Sequence, residues 1–486
     1  MDIKDLNINF FKNRKKFLNF INSTKRKNFY SVINTTLISN PYITDFPKEY
    51  FEDKKRNWSI LQLLKSIFVF YFKMSVKLSI FTLHKIIFSL FWREEGKVKQ
   101  TIIDTFILSN KVLENGKYED SYFPKLSDIL DKNNISYSYF PRIYGLGINP
   151  IKFLSLLNIL KKEKKLFIFE YQLISYFDIF RIHLMIVLYP FQTLLLLQKN
   201  RLFNFHLIED IEKQDLIAFT RYFSGQKLAE YQNIEKIISW SEFQIIERAF
   251  NFGYRKSKGE GKILGTQLFL NYPAYLNTTV SEIDNQNLSS PHQVLVNGKE
   301  YLKNMSNFYR LGVSFRYGEI FKFTKDSQKR EKTLLLTSYL KNETNVMIEF
   351  CENLDLQIKL HPTQDSKDFQ IPKNMNLVSG NLYDFFQTSK IVITTGSGTA
   401  VEAVAVGVSV IIIASQTNLT SNPLIEYGQG EIWDIVFEKK ELLEKFEKLS
   451  KFRDENPKRI LEISEYYKKN FFVEPTEENI IKVFDL

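Results

Sequence analysis

Five small residues, Thr395-Gly396-Ser397-Gly398-Thr399, separate the apolar run KIVIT from the alanine- and valine-rich stretch AVEAVAVG. Glycines allow close approach of a ligand to the backbone, and a helix starting here offers unpaired N–H groups and partial positive charge. Ser397 and Thr399 add hydroxyl donors, so Gly396, Ser397, Gly398 and Thr399 form a candidate phosphate cradle. Glu402 follows about one helical turn later, where a carboxylate can reach a ribose or sugar hydroxyl beside that phosphate. The same T-x-x-E spacing also spells a helix capping box, and both readings can hold together. His361 closes the run QIKL and precedes Pro362, which imposes an abrupt turn. There it can donate to a phosphate oxygen or stabilise a leaving group; the plainer reading is a structural histidine. Glu242 follows KIISW at a second such rim, suited to a general base for a sugar hydroxyl. A carboxylate favoured by a helix N-terminus is the alternative. Gln267 ends KILGTQ on the same rim and can hydrogen-bond a substrate, whereas Arg248 and Arg255 read as solvated or salt-bridged groups.

Other chemistries lack their residues. A single cysteine, Cys351, excludes a disulfide framework and multi-cysteine metal sites. Five scattered histidines and the lack of a DxD-type pattern leave no metal site to propose. No GxxxxGK[ST] sequence occurs, which argues against a P-loop NTPase. With 44% hydrophobic and 25% charged residues, the 486-residue chain has the composition of an ordinary folded protein of two to three domains. The formal charge is +11, and the first thirty residues hold eight Lys/Arg against Asp2 and Asp5. Such a segment suits an anionic membrane surface or a solvated helix, and nucleic acid least.

The elements that must position these groups alternate. Residues 1–99 read as a basic, aromatic-rich helical region, closed by the charged WREEGKVK. From 100 to 322, apolar runs (TIIDTFIL, ISYSYFPRI, KIISW, KILGTQ, HQVLVNG) alternate with helical patterns as strands of a first lobe. Residues 323–332 read as a linker. From 333 to 460 the alternation is cleaner, with strands at TLLLTSY, LQIKL, NLVSG, KIVIT and VSVIIIAS. Residues 461–486 read as helices crossing back to the first lobe. Near-continuous apolar strands between helices indicate parallel α/β sheets, whose ligands bind beyond the carboxyl ends of the strands. Two stretches, Leu61–Trp92 and Ile182–Gln198, are strongly apolar. Lys65, Lys73, Lys77 and Lys85 interrupt the first, and His183, Pro190 and Gln192 the second, so neither makes a good membrane span. Lys73, Lys77 and His84 share a helical face, a basic stripe on an apolar helix. That helix is read as packed on the protein's own core, with an in-plane membrane helix as the alternative.

The pairing of LHP (360–362) with TTGSGTAVEAVAVGVSVII (394–412) resembles the second half of GT-B glycosyltransferases and of nucleotide-sugar 2-epimerases and glycerophosphotransferases. IDTF (103–106), NGKYEDSYFPKL (115–126), SWSEFQIIERAFNFGYR (239–255), ILGTQ (263–267), VLVNGKEYL (294–302) and LGVSFRYGEI (311–320) resemble bacterial surface carbohydrate (lipopolysaccharide and capsule) biosynthesis proteins. The resemblance implies a GT-B-like α/β fold: two Rossmann-type lobes facing a cleft, with an additional N-terminal helical region. It implies metal-independent sugar transfer from a nucleotide-sugar, a substrate rather than a cofactor, to a lipid-linked or lipopolysaccharide glycan. Donor-phosphate contacts would fall at His361, Ser397, Gly398 and Thr399, with Arg316 helping to neutralise the phosphate. Glu402 would contact a hydroxyl and Glu242 would act as acid/base on the acceptor side. The alternatives are 2-epimerisation or glycerophosphate transfer on the same scaffold, or a non-catalytic scaffold in polysaccharide assembly. The expected location is cytoplasmic, peripheral on the inner face of the inner membrane, with no nucleic-acid partner.

Overall fold

The computed structural model describes residues 2–37, 45–92, 98–272, 274, 276, 279–303, 305–323 and 330–486. Most of the expected linker, 324–329, and residues 93–97 of the charged segment lie outside the described residues.

Two sheets carry the molecule. The first holds β1 (Thr101–Leu108), β2 (Tyr137–Tyr144), β3 (Lys236–Trp240), β4 (Lys262–Thr266), β5 (Gln293–Val296) and β6 (Tyr309–Leu311), in the order β2-β1-β3-β4-β5-β6. The second holds β7 (Lys332–Leu336), β8 (Leu356–Lys359), β9 (Met375–Leu377), β10 (Ser389–Thr394), β11 (Ser409–Ile413) and β12 (Trp433–Val436), in the order β12-β11-β10-β7-β8-β9. Every strand pair is parallel. Parallel strands are covered on both faces, and β11 is buried along its whole length while β1 is buried up to Leu108. The apolar runs read from the sequence are these strands. Two short ones, β6 and β12, lie at sheet edges, where YRL and WDIV show no alternation to read.

The last helices tie the lobes together. Pro457–Phe471 packs on the helix Thr399–Ala405, with the Ser464 hydroxyl donating to the Ala405 carbonyl at 2.9 Å. The chain then runs beside the first lobe, where the Ser314 N–H donates to the Val473 carbonyl. Glu477–Phe484 buries Ile480 and Phe484 against Ile103 and Ile107 under the first sheet. One apolar cluster also includes Val294 and Val296 of the first lobe with Val392 and Val410 of the second, so the lobes share a core.

The described residues among 1–99 share their cores with the rest of the chain. Helix Ile3–Thr24 buries Leu6, Phe10, Phe17 and Ile21 against Leu202 and Phe203 of the first lobe and Leu419 of the second. Asn7 accepts from the Thr420 N–H at 2.9 Å, and Lys25 pairs with buried Asp284 at 2.7 Å. The basic first helix is therefore a strap across both lobes. Helix Ile60–Phe91 packs beside Tyr176–Leu194, Arg201–Lys213 and Leu216–Leu228, all inserted between β2 and β3.

The long helix packs on the protein's own core, as read from the sequence, through Phe70, Met74, Phe81 and Phe88. It is long and apolar enough to cross a membrane by length and composition, the lysines notwithstanding. Beside that buried apolar face, its basic stripe also meets neighbouring elements rather than solvent alone. Lys73 donates to the Glu212 carbonyl, Lys77 pairs with Asp215, Lys85 donates to the Tyr171 carbonyl, and His84 is buried. Anchored acceptors on neighbouring helices turn the basic stripe inward, and much of the apolar surface is left outside.

Candidate active site between the lobes

The first lobe's rim is built on a buried charge network. Asp104, in the middle of β1, accepts from Arg221 at 2.8 Å and from the Ser239 hydroxyl at 2.8 Å, holding β3 beside β1. Arg142 of β2 approaches the other Asp104 oxygen at 3.6 Å and lies over the rings of Phe106 (4.0 Å) and Trp240 (4.7 Å). Removing one partner of such a group strands a buried charge, so the network fixes the end of β3 rigidly.

Immediately beyond β3, Phe243 adopts a left-handed backbone conformation with φ of 56°. A bulky residue pays for that geometry only where its surroundings enforce it; here the ring is buried in the shared core. The turn presents Glu242. Gln244 donates to Glu242 Oε2 at 2.7 Å, and the Glu242 N–H donates to Glu247 at 3.1 Å. Burial pushes the Glu242 carboxyl up to about 7, against the opposing pull of Gln244, Arg316 and Arg142. Burial likewise pushes Glu247 up to about 8, partly opposed by Arg142. A carboxyl tuned near neutral pH is what general acid–base work requires. Of the two, Glu247 is fully enclosed, whereas Glu242 retains access to solvent.

Arg316 comes from the segment after β6 and is exposed. Its charge lowers the carboxyls of both Glu242 and Glu402, one from each lobe, so both lie within its electrostatic reach. Glu402, buried on Thr399–Ala405, is raised by desolvation and accepts from the Tyr383 hydroxyl. Tyr317 feels Glu402, Arg316, Tyr272 and Glu242 at once. These residues thus meet at one junction.

The glycine turn follows β10 as expected. A Cβ on Gly396 would sit 2.0 Å from the Ser421 carbonyl oxygen, so only glycine fits there. A Cβ on Gly398 would meet the Tyr272 hydroxyl of the first lobe at 3.0 Å, so the lobes approach each other at the turn. The Thr399 hydroxyl bonds Ser397 Oγ at 2.9 Å. The capping box does not form: Gly398 is the N-cap without a side-chain cap bond, and the Glu402 carboxyl is engaged by Tyr383 instead. The helix has seven residues, too short for a large dipole, so strong positive charge must come from side chains.

His361 follows β8, two strands from β10 across β7, or roughly 10 Å of sheet. Its N–H donates to Thr337 Oγ1 at 2.9 Å, pinning the turn. The Thr363 N–H donates to His361 Nδ1 at 3.3 Å, which puts the ring proton on Nε2, and partial burial keeps the ring neutral by lowering its pKa. His361 therefore offers a neutral N–H donor on the second lobe's rim. Gln267 is only 1% exposed, and its N–H donates to the Leu295 carbonyl, so it sits within the sheet's end rather than on an open surface. Arg248 is buried on Asp284 at 2.8 Å, and Arg255 donates to Asn285 and Ser290, so neither is solvated. Among the described residues no group of three His, Cys, Asp or Glu side chains is placed to hold a metal ion.

Sequence reasoning missed Glu247, Arg142, Tyr317 and Tyr383. Glu247 lies five residues after Glu242 in a helix-start pattern and could have been weighed as its partner. The tyrosines carry no spacing signal.

No family model matches the chain, and no curated protein matches it in sequence. Solved structures do resemble it in shape. Acinetobacter baumannii MurG is 10% identical over 80% of this chain and 100% of its own, with a TM-score of 0.43. A UDP-GlcNAc 2-epimerase from Neisseria meningitidis, bound to UDP-GlcNAc, is 11% identical over 79% and 99%, with a TM-score of 0.43. S. aureus MnaA, in a co-structure with UDP, is 10% identical over 79% and 95%, with a TM-score of 0.43. The fold is GT-B-like. That statement rests on the two parallel six-stranded sheets, the junction at their carboxyl ends and the returning last helix. The GT-B-like lobes carry, in addition, the N-terminal strap and the helical layer inserted between β2 and β3.

Proposed function

We propose that the chain transfers a sugar from a nucleotide-activated donor to a hydroxyl of a bacterial surface polysaccharide or lipopolysaccharide acceptor. The observation that carries this reading is the convergence of Glu242, tuned to about 7, with Arg316 and the rim of Glu402 and Gly398 at one interlobe junction. Glu242 takes the acceptor proton as the hydroxyl attacks the anomeric carbon. The bond to the nucleotide phosphate breaks, and the leaving charge is met by Arg316, the His361 Nε2–H and the backbone at Ser397–Thr399. Glu402 holds a donor hydroxyl.

Glu242, at the rim, and not the enclosed Glu247 is the carboxyl available to a substrate, which favours transfer with one base over epimerisation. A thermal-shift series of CMP, UDP, GDP and CDP and their sugars on wild type and His361→Ala tests the reading. A ligand at a hundredfold its Kd adds about 2.7 kcal/mol. One nucleotide stabilising wild type but not the variant is the expected result. No shift with any nucleotide would move the reading to a non-catalytic scaffold.

A further inference from the structure

The inward-turned lysines leave helix Ile60–Phe91 with a second apolar face. Leu61, Leu64, Phe68, Phe72, Leu83 and Leu90 fall on one helical stripe and are all exposed, Phe68 to 71% and Phe72 to 67%. Helix Tyr176–Leu194 lies alongside. Tyr71 donates to the Val187 carbonyl, and Phe81 stacks near Tyr171, so the two helices run antiparallel. The second helix exposes Phe177, Phe180, Leu184, Leu188 and Phe191. The two stripes make an apolar surface far beyond what a soluble surface scatters singly. Neither helix can cross a bilayer without tearing Phe70, Met74, Phe81, Ile182 and Tyr189 out of one core.

What flanks this surface identifies what covers it. The two helices contain one acidic residue, Asp178, buried in its own capping box. At the end marked by Ile60 and Leu195, Lys16, Lys54, Lys55, Arg56 and Arg201 line a groove of about 610 Å³ against a single acid, Asp53. Lys54 and Arg56 are engaged by Glu49 and Glu52, while Lys16, Lys55 and Arg201 have no carboxylate partner among the described residues. At the other end Leu90, Phe91 and Trp92 share a groove with Lys161, Lys164 and Lys165 against one acid, Glu163, which accepts from the Tyr118 N–H. Trp58 and Trp92, two of the chain's four tryptophans, stand just before and just after the long helix. A second copy of the chain fits poorly. With both ends basic, any two-fold pairing of this face sets cations against cations.

We infer that the two-helix face lies in the plane of an anionic phospholipid bilayer. Its apolar stripes sit about 5–10 Å into the headgroup–acyl boundary, and the terminal basic grooves take lipid phosphates. The inference stands apart from the sugar-transfer reading, because it requires neither nucleotide nor turnover.

Co-sedimentation of the full chain with phosphatidylcholine vesicles, with and without phosphatidylglycerol, tests it. Wild type should pellet with the anionic vesicles and more weakly with neutral ones, the difference shrinking as salt is raised. The pair Phe68→Asp and Phe72→Asp, with an unchanged melting temperature, should lose about tenfold or more of the partitioning to both vesicles. The pair Lys55→Glu and Arg201→Glu should keep binding but lose the anionic preference. Wild type remaining in the supernatant with both vesicles would overturn the inference, as would a folded aspartate variant that binds like wild type. Light scattering without lipid closes the remaining route: a wild-type dimer dissociated by the aspartates would assign the face to a second copy instead.

Discussion

On the first lobe's rim, Glu242, Glu247, Arg142 and Arg316 act on one another electrostatically. The second lobe's rim instead carries a glycine turn, two hydroxyls, a neutral histidine and one carboxyl held by a tyrosine. The difference is one of depth as well as type. The first lobe buries Asp104, Arg142 and Arg221 beneath its rim, so its carboxyls sit in a stiff, poorly hydrated setting that moves their titration toward neutrality. The second lobe presents donors whose strength hardly depends on pH. On the sugar-transfer reading proposed above, proton transfer would fall to the first rim and anion binding to the second.

The sharpest way to break that comparison is Glu242→Gln. The amide keeps the shape and can still meet Gln244, but it cannot accept a proton. Nucleotide release from the donor should fall about 10²–10⁴-fold, with donor-induced thermal stabilisation retained. Loss of nucleotide binding together with turnover would show that the first rim binds the donor as well, and the division would be wrong.

Arg316→Ala probes a cation that acts on carboxyls of both rims. Its removal takes away a positive charge that lowers both Glu242 and Glu402. The acid limb of the pH–rate profile should move upward from about 7, so that activity lost at neutral pH partly returns in mildly alkaline buffer. An unchanged limb with only a raised KM would make Arg316 a phosphate ligand with no hold on the base.

Much of this division was readable from residue order. Glu242, His361 and the glycine turn each follow an apolar run, and a parallel sheet leaves only its carboxyl edge for such residues. The pairing of Arg316 with two carboxyls was not derivable from spacing, because it depends on how a short segment after an edge strand meets the other lobe. The contacts made by the basic stripe of the long helix were illegible for a related reason. A stripe of lysines reads as outward unless the carbonyl of Glu212 and the carboxylate of Asp215, more than a hundred residues away, are known to face it.

The glycine turn offers a contrast within the second rim. Gly396→Ala drives a methyl into the Ser421 backbone carbonyl at 2.0 Å, and backbone cannot rotate aside. It should cost about 1–3 kcal/mol in denaturant melts. Gly398→Ala meets the far end of the Tyr272 side chain at 3.0 Å and the Leu270 side chain at an ordinary 3.5 Å, and should cost less. Its effect should fall on the closeness of the lobes, read as weaker nucleotide affinity with near-normal stability.

The smallest effect should come from the enclosed carboxyl, through the pH dependence of stability. Glu247 titrates near 8 in the folded protein against about 4.5 when unfolded. A carboxyl raised in this way favours the folded state fully below its unfolded value, and that contribution is lost as pH rises through about 8. In Glu247→Gln the side-chain oxygen can still accept from the Glu242 N–H, so the turn is kept while the titration disappears. Melting temperatures measured from mildly acid to mildly alkaline buffer should therefore decline less steeply in the variant than in wild type, by roughly a degree or two. Asp210, raised to about 7 by burial, has the same sign but is present in both proteins and cancels from the difference. Identical slopes would mean that Glu247 is charged throughout, neutralised by Arg142. Its charge would then add like-charge repulsion to the desolvation that raises Glu242.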